Sequence, residues 1–177
     1  MRRVISGVNL QSNDFELFSL IPQFEQDLET IDRRWKELQR QMHPDNFAAQ
    51  GSTSQRLAMQ WSVRINEAYK RLKNPLKRAS YLCELNNAPI EAENNTAMPP
   101  AFLIQQMEWR ETLDESIRAD QLLSLLETVK SAQETTFKLV GTLIDEKLDY
   151  TLAVAQVRKI MFMQSFQDDV ENRLDHL

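Results

Sequence analysis

The sequence predicts an all-α protein, in which an N-terminal helical hairpin is followed by a C-terminal bundle of three helices. The chain of 177 residues has only 3 Gly and 6 Pro, and 27% of its residues are charged, a composition that favours long helices. Apolar residues recur at alternating spacings of three and four in several segments. A polar, Asn-rich segment with three prolines, residues 86–100, separates the two halves. We therefore expect domains at residues 1–85 and 101–177, joined by a linker at 86–100.

The first predicted helix is short and covers residues 14–20. This segment reads DFELFSL and is followed by Pro22, and proline disfavours helix in the residue before it. One or two helical turns are expected there.

The strongest helical pattern in the first half covers residues 25–42. Its apolar stripe consists of Leu28, Ile31, Trp35, Leu38 and Met42. Acidic residues crowd the start of this segment, and basic residues follow, an order that complements the helix dipole. Those basic residues are Arg33, Arg34, Lys36 and Arg40. Because Pro44 biases His43 away from helix, the helix is expected to end near Met42.

A loop is predicted at residues 43–54, and a second stripe with the same 3, 4, 3, 4 spacing follows it. That stripe consists of Ala58, Trp61, Ile65, Ala68 and Leu72. Two matched stripes joined by a short loop predict an antiparallel hairpin with His43-Pro44-Asp45 at its tip. Asn74-Pro75 closes the second helix, and a brief helix through residues 78–82 is expected next.

Three further helices are predicted in the second half of the chain. The first runs from Pro99-Pro100 to about residue 116, with proline in its favoured early position. The second covers about 119–146 and the third about 149–175, each with apolar residues at helical spacing. Short joints between three amphipathic helices predict a small bundle.

Charge and composition exclude several classes of function. Residues 1–80 carry a balance of +4 and residues 81–177 one of −9, for a net charge of −5. An acidic chain is a poor non-specific nucleic-acid binder. Cys83 is the only cysteine and the chain has two histidines, so we expect no disulfide, no metal site and no cofactor. No run of about 18 apolar residues occurs, and the N-terminus reads as a tail rather than a signal peptide, so a cytoplasmic protein without a membrane span is expected.

The tripeptide His43-Pro44-Asp45 would by itself be an ordinary turn. Here it follows a helix with a basic end, joins two helices with matched stripes, and precedes the segment INEAYKRLKNP at residues 65–75. Together these features resemble the J-domain of DnaJ-type co-chaperones over roughly residues 13–83. The resemblance implies that His43, Pro44 and Asp45 bind an ATP-bound DnaK-type chaperone. The candidate docking cations are Arg33, Arg34, Lys36 and Arg40.

One residue departs from the J-domain pattern. The residue after the aspartate is usually lysine in that family and here is Asn46. The loop therefore lacks one positive charge.

Further segments are similar to the HscB family, the J-domain co-chaperones of iron–sulfur cluster assembly. These are DFELF at 14–18, PLKRASYLCEL at 75–85, AFL at 101–103 and EWRE at 108–111. The resemblance implies that the J-domain stimulates the ATPase of a DnaK relative of the HscA type. It also implies that the C-terminal helices bind an iron–sulfur scaffold protein of the IscU type. The matching scaffold-binding positions are Leu103, Ile104, Met107, Glu108, Arg110, Glu111 and Phe162.

Alternatives remain at this point. The basic residues could be an ordinary solvated helix face. Leu103, Ile104, Met107 and Phe162 could instead be bundle core, whereas Phe102, Trp109 and Leu113 continue a separate stripe that we assign to the core. The protein could also be a J-domain co-chaperone for a different client. An enzyme is not expected, because a hairpin tip offers His43 neither an enclosing pocket nor an oriented partner.

Overall fold

The computed structural model describes residues 8–90 and 98–177, and within these ranges all regular structure is helical. This confirms the all-α class. The elements are α1 (Asp14–Phe18), α2 (Leu28–Gln41), a 3-10 helix (Pro44–Gln50), α3 (Ser52–Lys73), α4 (Pro75–Leu85), α5 (Pro100–Glu115), α6 (Ala119–Gly141), a π-helical segment (Thr142–Glu146) and α7 (Tyr150–Asp175). The expectations for the N-terminal tail at residues 1–7 and for linker residues 91–97 lie outside the described residues. No helix of the described ranges is long and apolar enough to cross a membrane.

The short helix α1 is fixed by a capping box and by a buried carboxylate. The side chain of Asn13 accepts from the Glu16 backbone N–H, and the Glu16 side chain accepts from the Asn13 backbone N–H. Asp14 is fully buried and pairs with two α3 arginines, Arg64 at 2.7 Å and Arg71 at 3.4 Å. Because a buried charge must be paired, these ion pairs fix α1 against α3.

The core between α2 and α3 follows the two predicted stripes except at Leu28 and at Trp35, which is only half-buried. Every residue of the α3 stripe is buried, as are Ile31, Leu38 and Met42 on the α2 side. Leu28 was predicted in the same stripe but is 44% exposed. Since α2 begins at Leu28 with Asp27 as its N-cap, this residue lies in the first turn and not in the interior of the helix. Phe24, in the irregular segment before α2, is buried instead.

The predicted loop at 43–54 is more regular than expected. Pro44–Gln50 forms a 3-10 helix, and α3 begins at Ser52 after Gly51, which has a positive φ of 91°. Proline at the first turn of a helix costs no hydrogen bond, because the first N–H groups have no intrahelical partner. The turn-forming residues of this segment therefore build a tight 3-10 helix rather than an irregular loop.

Helix α4 ends in a left-handed cap at Asn87, whose φ is 59°. The N–H groups of Asn87 and Ala88 donate to the carbonyls of Glu84 and Cys83 at 3.1 and 2.9 Å, which is the Schellman arrangement. The chain divides into two compact units after Arg78, within α4. Helix α4 therefore contributes residues to both units.

The second unit packs α6 against α7, with α5 beside them. Its buried residues include Leu122, Val129, Val157, Ile160 and Phe166. The end of α6 widens into the π-helical segment, where the Lys147 N–H donates to the Thr142 carbonyl at 3.1 Å. Leu148, with a φ of 53°, then turns the chain into α7. The three predicted helices are confirmed within a few residues of their expected limits.

Candidate functional site

The His-Pro-Asp loop presents two exposed polar side chains at the start of the 3-10 helix. His43 is the N-cap, and its Nδ1 accepts from the Asp45 N–H at 3.3 Å. The same Nδ1 lies 3.6 Å from Asp45 Oδ2, and the two side chains are 58% and 86% exposed. A ring nitrogen that accepts a hydrogen bond carries no proton, so in the capping state the ring proton is on Nε2. The loop therefore fixes the imidazole through one nitrogen and leaves the other available to a partner.

Asn46 fastens this loop to the end of α2. Its side-chain Nδ2 donates to the Arg40 carbonyl at 2.8 Å, and its N–H donates to the His43 carbonyl at 3.0 Å. The last carbonyls of a helix have no intrahelical donor, so the amide supplies one. The departure from lysine thus replaces a charge with a helix cap.

Three of the four predicted docking cations form one surface, which we call the basic face: Arg33, Lys36 and Arg40. At 3.6 residues per turn they lie within about 60° of one another around α2. All three are exposed, and none forms an ion pair within the described part of the chain. Arg34 lies off this face and pairs with Glu37 at 3.3 Å. The structure therefore brings together three of the four cations.

A polar clamp between α2 and α3 escaped the sequence prediction. The rings of Trp35 and Tyr69 stack with centroids 4.8 Å apart. The Asn66 side-chain oxygen accepts from Trp35 Nε1 at 2.9 Å and from Gln39 Nε2 at 2.6 Å. Asn66 and Tyr69 lie in INEAYKRLKNP, Trp35 belongs to the α2 stripe and Gln39 lies outside it. Helical spacing alone does not say which polar side chains meet across two helices.

The clamp continues into an ion pair between Asp32 and Lys73. Asp32 Oδ1 accepts from the Tyr69 hydroxyl at 2.9 Å and from Lys73 Nζ. The hydrogen bond from Lys73 lowers the pKa of Asp32 below its ordinary value, and the same bond raises the pKa of Lys73. Both groups therefore stay charged at neutral pH.

A second exposed surface lies on α5 and consists of Leu103, Ile104 and Met107, which we call the apolar strip. These side chains are 43%, 59% and 71% exposed. Of the predicted core face, Phe102 and Trp109 are buried and Leu113 is half-buried. The alternative that the three strip residues form bundle core is therefore wrong. Glu108, Arg110 and Glu111 are also exposed on α5, so charge borders the strip.

Phe162 and Arg110 differ from the other predicted scaffold contacts because they pack within the second unit. Phe162 is half-buried, with its ring edge-on to Phe102 at 5.8 Å and stacked on Phe166 at 6.0 Å. The Arg110 guanidinium lies 5.8 Å from the centroids of both the Phe162 and Phe166 rings, and 3.8 Å from Asp169. Phe162 therefore combines a core contact with partial exposure.

Cys83 is buried in α4, and burial raises the pKa of its thiol to about 11. A buried thiol of raised pKa is an inert apolar residue rather than a nucleophile or a metal ligand. In residues 8–90 and 98–177 no group of three or more metal-ligating side chains could hold a metal ion.

The sequence is similar to known proteins over nearly its whole length. A family model described as the HSCB C-terminal oligomerisation domain matches residues 98–171. Proteins described as co-chaperone protein HscB homologs, from Burkholderia multivorans and Burkholderia cenocepacia, are 43% and 44% identical over 173 residues, which cover 96% of this chain and 98% of each relative.

Two solved structures are similar along most of their length. The chaperone HscB from Vibrio cholerae is 32% identical with a TM-score of 0.79, covering 93% of this chain and 99% of that one. The human co-chaperone protein HscB is 26% identical with a TM-score of 0.89, covering 96% of this chain and 86% of that one.

Proposed function

The chain belongs to the HscB family of co-chaperones, and from this premise we propose that it delivers an IscU-type iron–sulfur scaffold to a DnaK/HscA-type chaperone and stimulates that chaperone's ATPase. In this proposal the second unit binds the scaffold and the first binds the chaperone. The co-chaperone itself performs no chemistry, and cluster transfer follows from ATP hydrolysis by the partner.

The observation that carries the chaperone-binding half of the proposal is the exposure of His43 and Asp45 directly beside the basic face. A loop already fixed by Pro44 and by the Asn46 cap loses little conformational freedom when it binds. Unpaired cations on one helix face raise the encounter rate with an acidic partner surface. These properties support docking of the loop and the basic face on the chaperone.

The scaffold-binding half of the proposal rests on the apolar strip bordered by charge. A group of exposed apolar side chains with a polar rim is typical of a protein–protein interface. Leu103, Ile104 and Met107 would enter the interface, with Glu108, Arg110 and Glu111 at its rim. Phe162 would contribute its exposed edge.

The chaperone assignment is tested with His43→Gln in a steady-state ATPase assay containing a DnaK/HscA-type chaperone. We expect stimulation to be lost, because glutamine reproduces neither the imidazole ring nor the Nδ1 cap on the Asp45 N–H. The matched control is His176→Gln at the end of α7, which we expect to stimulate normally. Full stimulation by His43→Gln would contradict the assignment.

The scaffold assignment is tested by titration of the double variant Leu103→Ala, Phe162→Ala against an IscU-type scaffold. We expect affinity to fall at least tenfold, since roughly 1–2 kcal/mol per truncated apolar contact is ordinary in interfaces. Leu123→Ala, which truncates another exposed leucine on α6, is the matched control. Unchanged affinity of the double variant would favour the alternative of a J-domain co-chaperone for a different client.

A further inference from the structure

The basic face is bordered on both sides by acidic residues of the same helix. Around α2, Asp32 lies on one side of Arg33, Lys36 and Arg40, and Glu37 lies on the other side, each about 70° from the centre of the face. An unpaired carboxylate at either position would repel the same acidic partner that the cations attract. The charges of Asp32 and Glu37 therefore matter for docking.

Both carboxylates are paired with cations that lie outside the basic face. Lys73, on α3, binds Asp32 Oδ1, and the two side chains are 35% and 37% exposed. Arg34, which lies off the basic face, binds Glu37 Oε2 at 3.3 Å. A third acidic residue, Glu29, lies four residues before Arg33 at the N-terminal end of the same face and is exposed. It stands in the first turn of α2, where the helix dipole partly offsets its charge.

We propose that Lys73 and Arg34 are positioning residues that neutralise Asp32 and Glu37, so that no unpaired carboxylate flanks Arg33, Lys36 and Arg40 on either side when they meet the chaperone. The inference rests on the proposed function. It gives Arg34, which the family resemblance indicated as a docking cation, a neutralising role instead. The partner surface that fits such a face is acidic. Lys73 thus acts on docking from a helix that carries neither the loop nor the basic face.

The Asp32–Lys73 pair has a geometry suited to this role. Tyr69 donates to the same carboxylate oxygen, and the Tyr69 ring stacks on Trp35 of α2. Lys73 Nζ also lies 5.8 Å from the centroid of the Tyr69 ring. The aromatic stack therefore keeps the lysine beside the carboxylate, although both groups are partly exposed.

Two variants distinguish neutralisation of the Asp32 charge from a merely structural role of the ion pair. Lys73→Met frees the Asp32 charge, whereas Asp32→Asn with Lys73→Met removes both charges and leaves the ion pair broken. If the pair acts through charge, the double variant regains docking. If it acts only by holding α2 to α3, the double variant stays as weak as the single one.

The experiment measures the co-chaperone concentration that gives half-maximal stimulation of a DnaK/HscA-type ATPase at low ionic strength. We expect Lys73→Met to raise it about threefold, an ordinary effect for one exposed charge near an interface. The double variant should return to within about 1.5-fold of wild type, as should Arg34→Gln when it is combined with Glu37→Gln. At about 1 M salt, where the screening length is about 3 Å, Lys73→Met and wild type should coincide.

The matched control is Lys70→Met, which removes an exposed α3 lysine without an ion-pair partner in the described ranges. We expect it to remain within about 1.5-fold of wild type, because it frees no carboxylate. An equal effect of Lys70→Met and Lys73→Met, or no recovery in the double variant, would overturn the inference. Melting temperatures check that Lys73→Met and its double variant are equally folded.

The two proposals fail differently in this assay. If His43→Gln stimulates as well as wild type, or wild type does not stimulate at all, the proposed function fails and the inference fails with it. If His43→Gln is inactive but the Lys73 and Arg34 variants show no recovery, only the neutralisation is wrong. Recovery of the Lys73 pair without the Arg34 pair would return Arg34 to the docking contacts and overturn its half of the proposal.

Discussion

The basic face of α2 and the apolar strip of α5 are both exposed helix surfaces, but they differ in how the rest of the molecule prepares them. Beside the basic face, ion pairs bind the carboxylates of Asp32 and Glu37, and Asn46 holds the His-Pro-Asp loop to the end of α2. The apolar strip lies opposite the buried side of its own helix, where Phe102 and Trp109 anchor α5. One surface depends on long-range charge and the other on the removal of apolar area from water. Salt and the removal of surface cations should therefore weaken binding through the basic face and leave binding through the apolar strip nearly unchanged.

The largest expected difference follows from removing the basic face entirely. Arg33→Gln, Lys36→Gln and Arg40→Gln together should weaken chaperone engagement about 30-fold at low ionic strength, since each exposed interfacial charge contributes roughly threefold. Scaffold affinity should not change. A triple variant at Lys130, Lys138 and Lys147 removes the same charge from the second unit and serves as control. Equal weakening by the two triples would mean that only net charge matters.

The apolar strip is probed by Met107→Asp, which places a charge at its most exposed residue. We expect scaffold affinity, measured by calorimetry, to fall about tenfold or more because the carboxylate loses water without gaining a partner. The loss should persist at high salt. Gln105→Asp, on the other side of α5, adds the same charge and should bind within about twofold of wild type. A loss for Met107→Asp that disappears at high salt would show that the strip works by charge.

A smaller effect is expected from Asn46→Lys, which restores the residue usual in J-domains. The variant adds a cation beside the basic face but removes the amide that caps the Arg40 carbonyl. Half-maximal ATPase stimulation should need about twofold less protein. Thermal unfolding should show a loss of about 0.5–1 kcal/mol in stability, as for other lost hydrogen bonds. Weaker stimulation together with unchanged stability would contradict both parts.

At neutral pH the smallest effect is that of Cys83, which belongs to neither surface. Burial raises the pKa of its thiol from 9.0 to about 11, so the unfolded chain loses this proton at lower pH than the folded one. The contribution to stability is therefore complete below pH 9 and declines as the pH rises toward 11. Denaturant titrations at several pH values in this range measure this contribution. The free energy of unfolding should fall more steeply with pH for wild type than for Cys83→Ala. Rapid modification of the folded protein by a thiol reagent at pH 8 would contradict the burial.

Periodicity was enough to predict the helices because each one buries a continuous stripe. The stripe of α3 is the clearest case, since all five of its predicted residues are buried. Leu28 shows the limit of this reasoning. It fits the spacing of the α2 stripe, but the Asp27 cap begins the helix only there, and a residue in the first turn need not face the core.

The candidate surfaces were harder to predict in detail than the helices. The family resemblance indicated Arg34 among the docking cations, although its i, i+3 spacing from Glu37 on a predicted helix already allowed the ion pair that the structure contains. Lys73 gave no signal of its own, since its partner Asp32 lies 41 residues away in the chain. Spacing along one helix indicates which residues share a face, whereas the charge of that face depends on side chains contributed by another helix.

The π-helical segment at Thr142–Glu146 has a consequence for how the chain tolerates changes in length. A π turn is equivalent to an α turn with one residue inserted. Here the widened turn ends α6 and does not interrupt it, since Leu148 has a positive φ and a separate helix begins at Tyr150. A one-residue deletion at this end would therefore leave the register of the preceding α6 residues unchanged. The same deletion in the middle of α6 would rotate the later α6 side chains by about 100° away from their layer, so insertions and deletions among relatives are expected to concentrate at this turn.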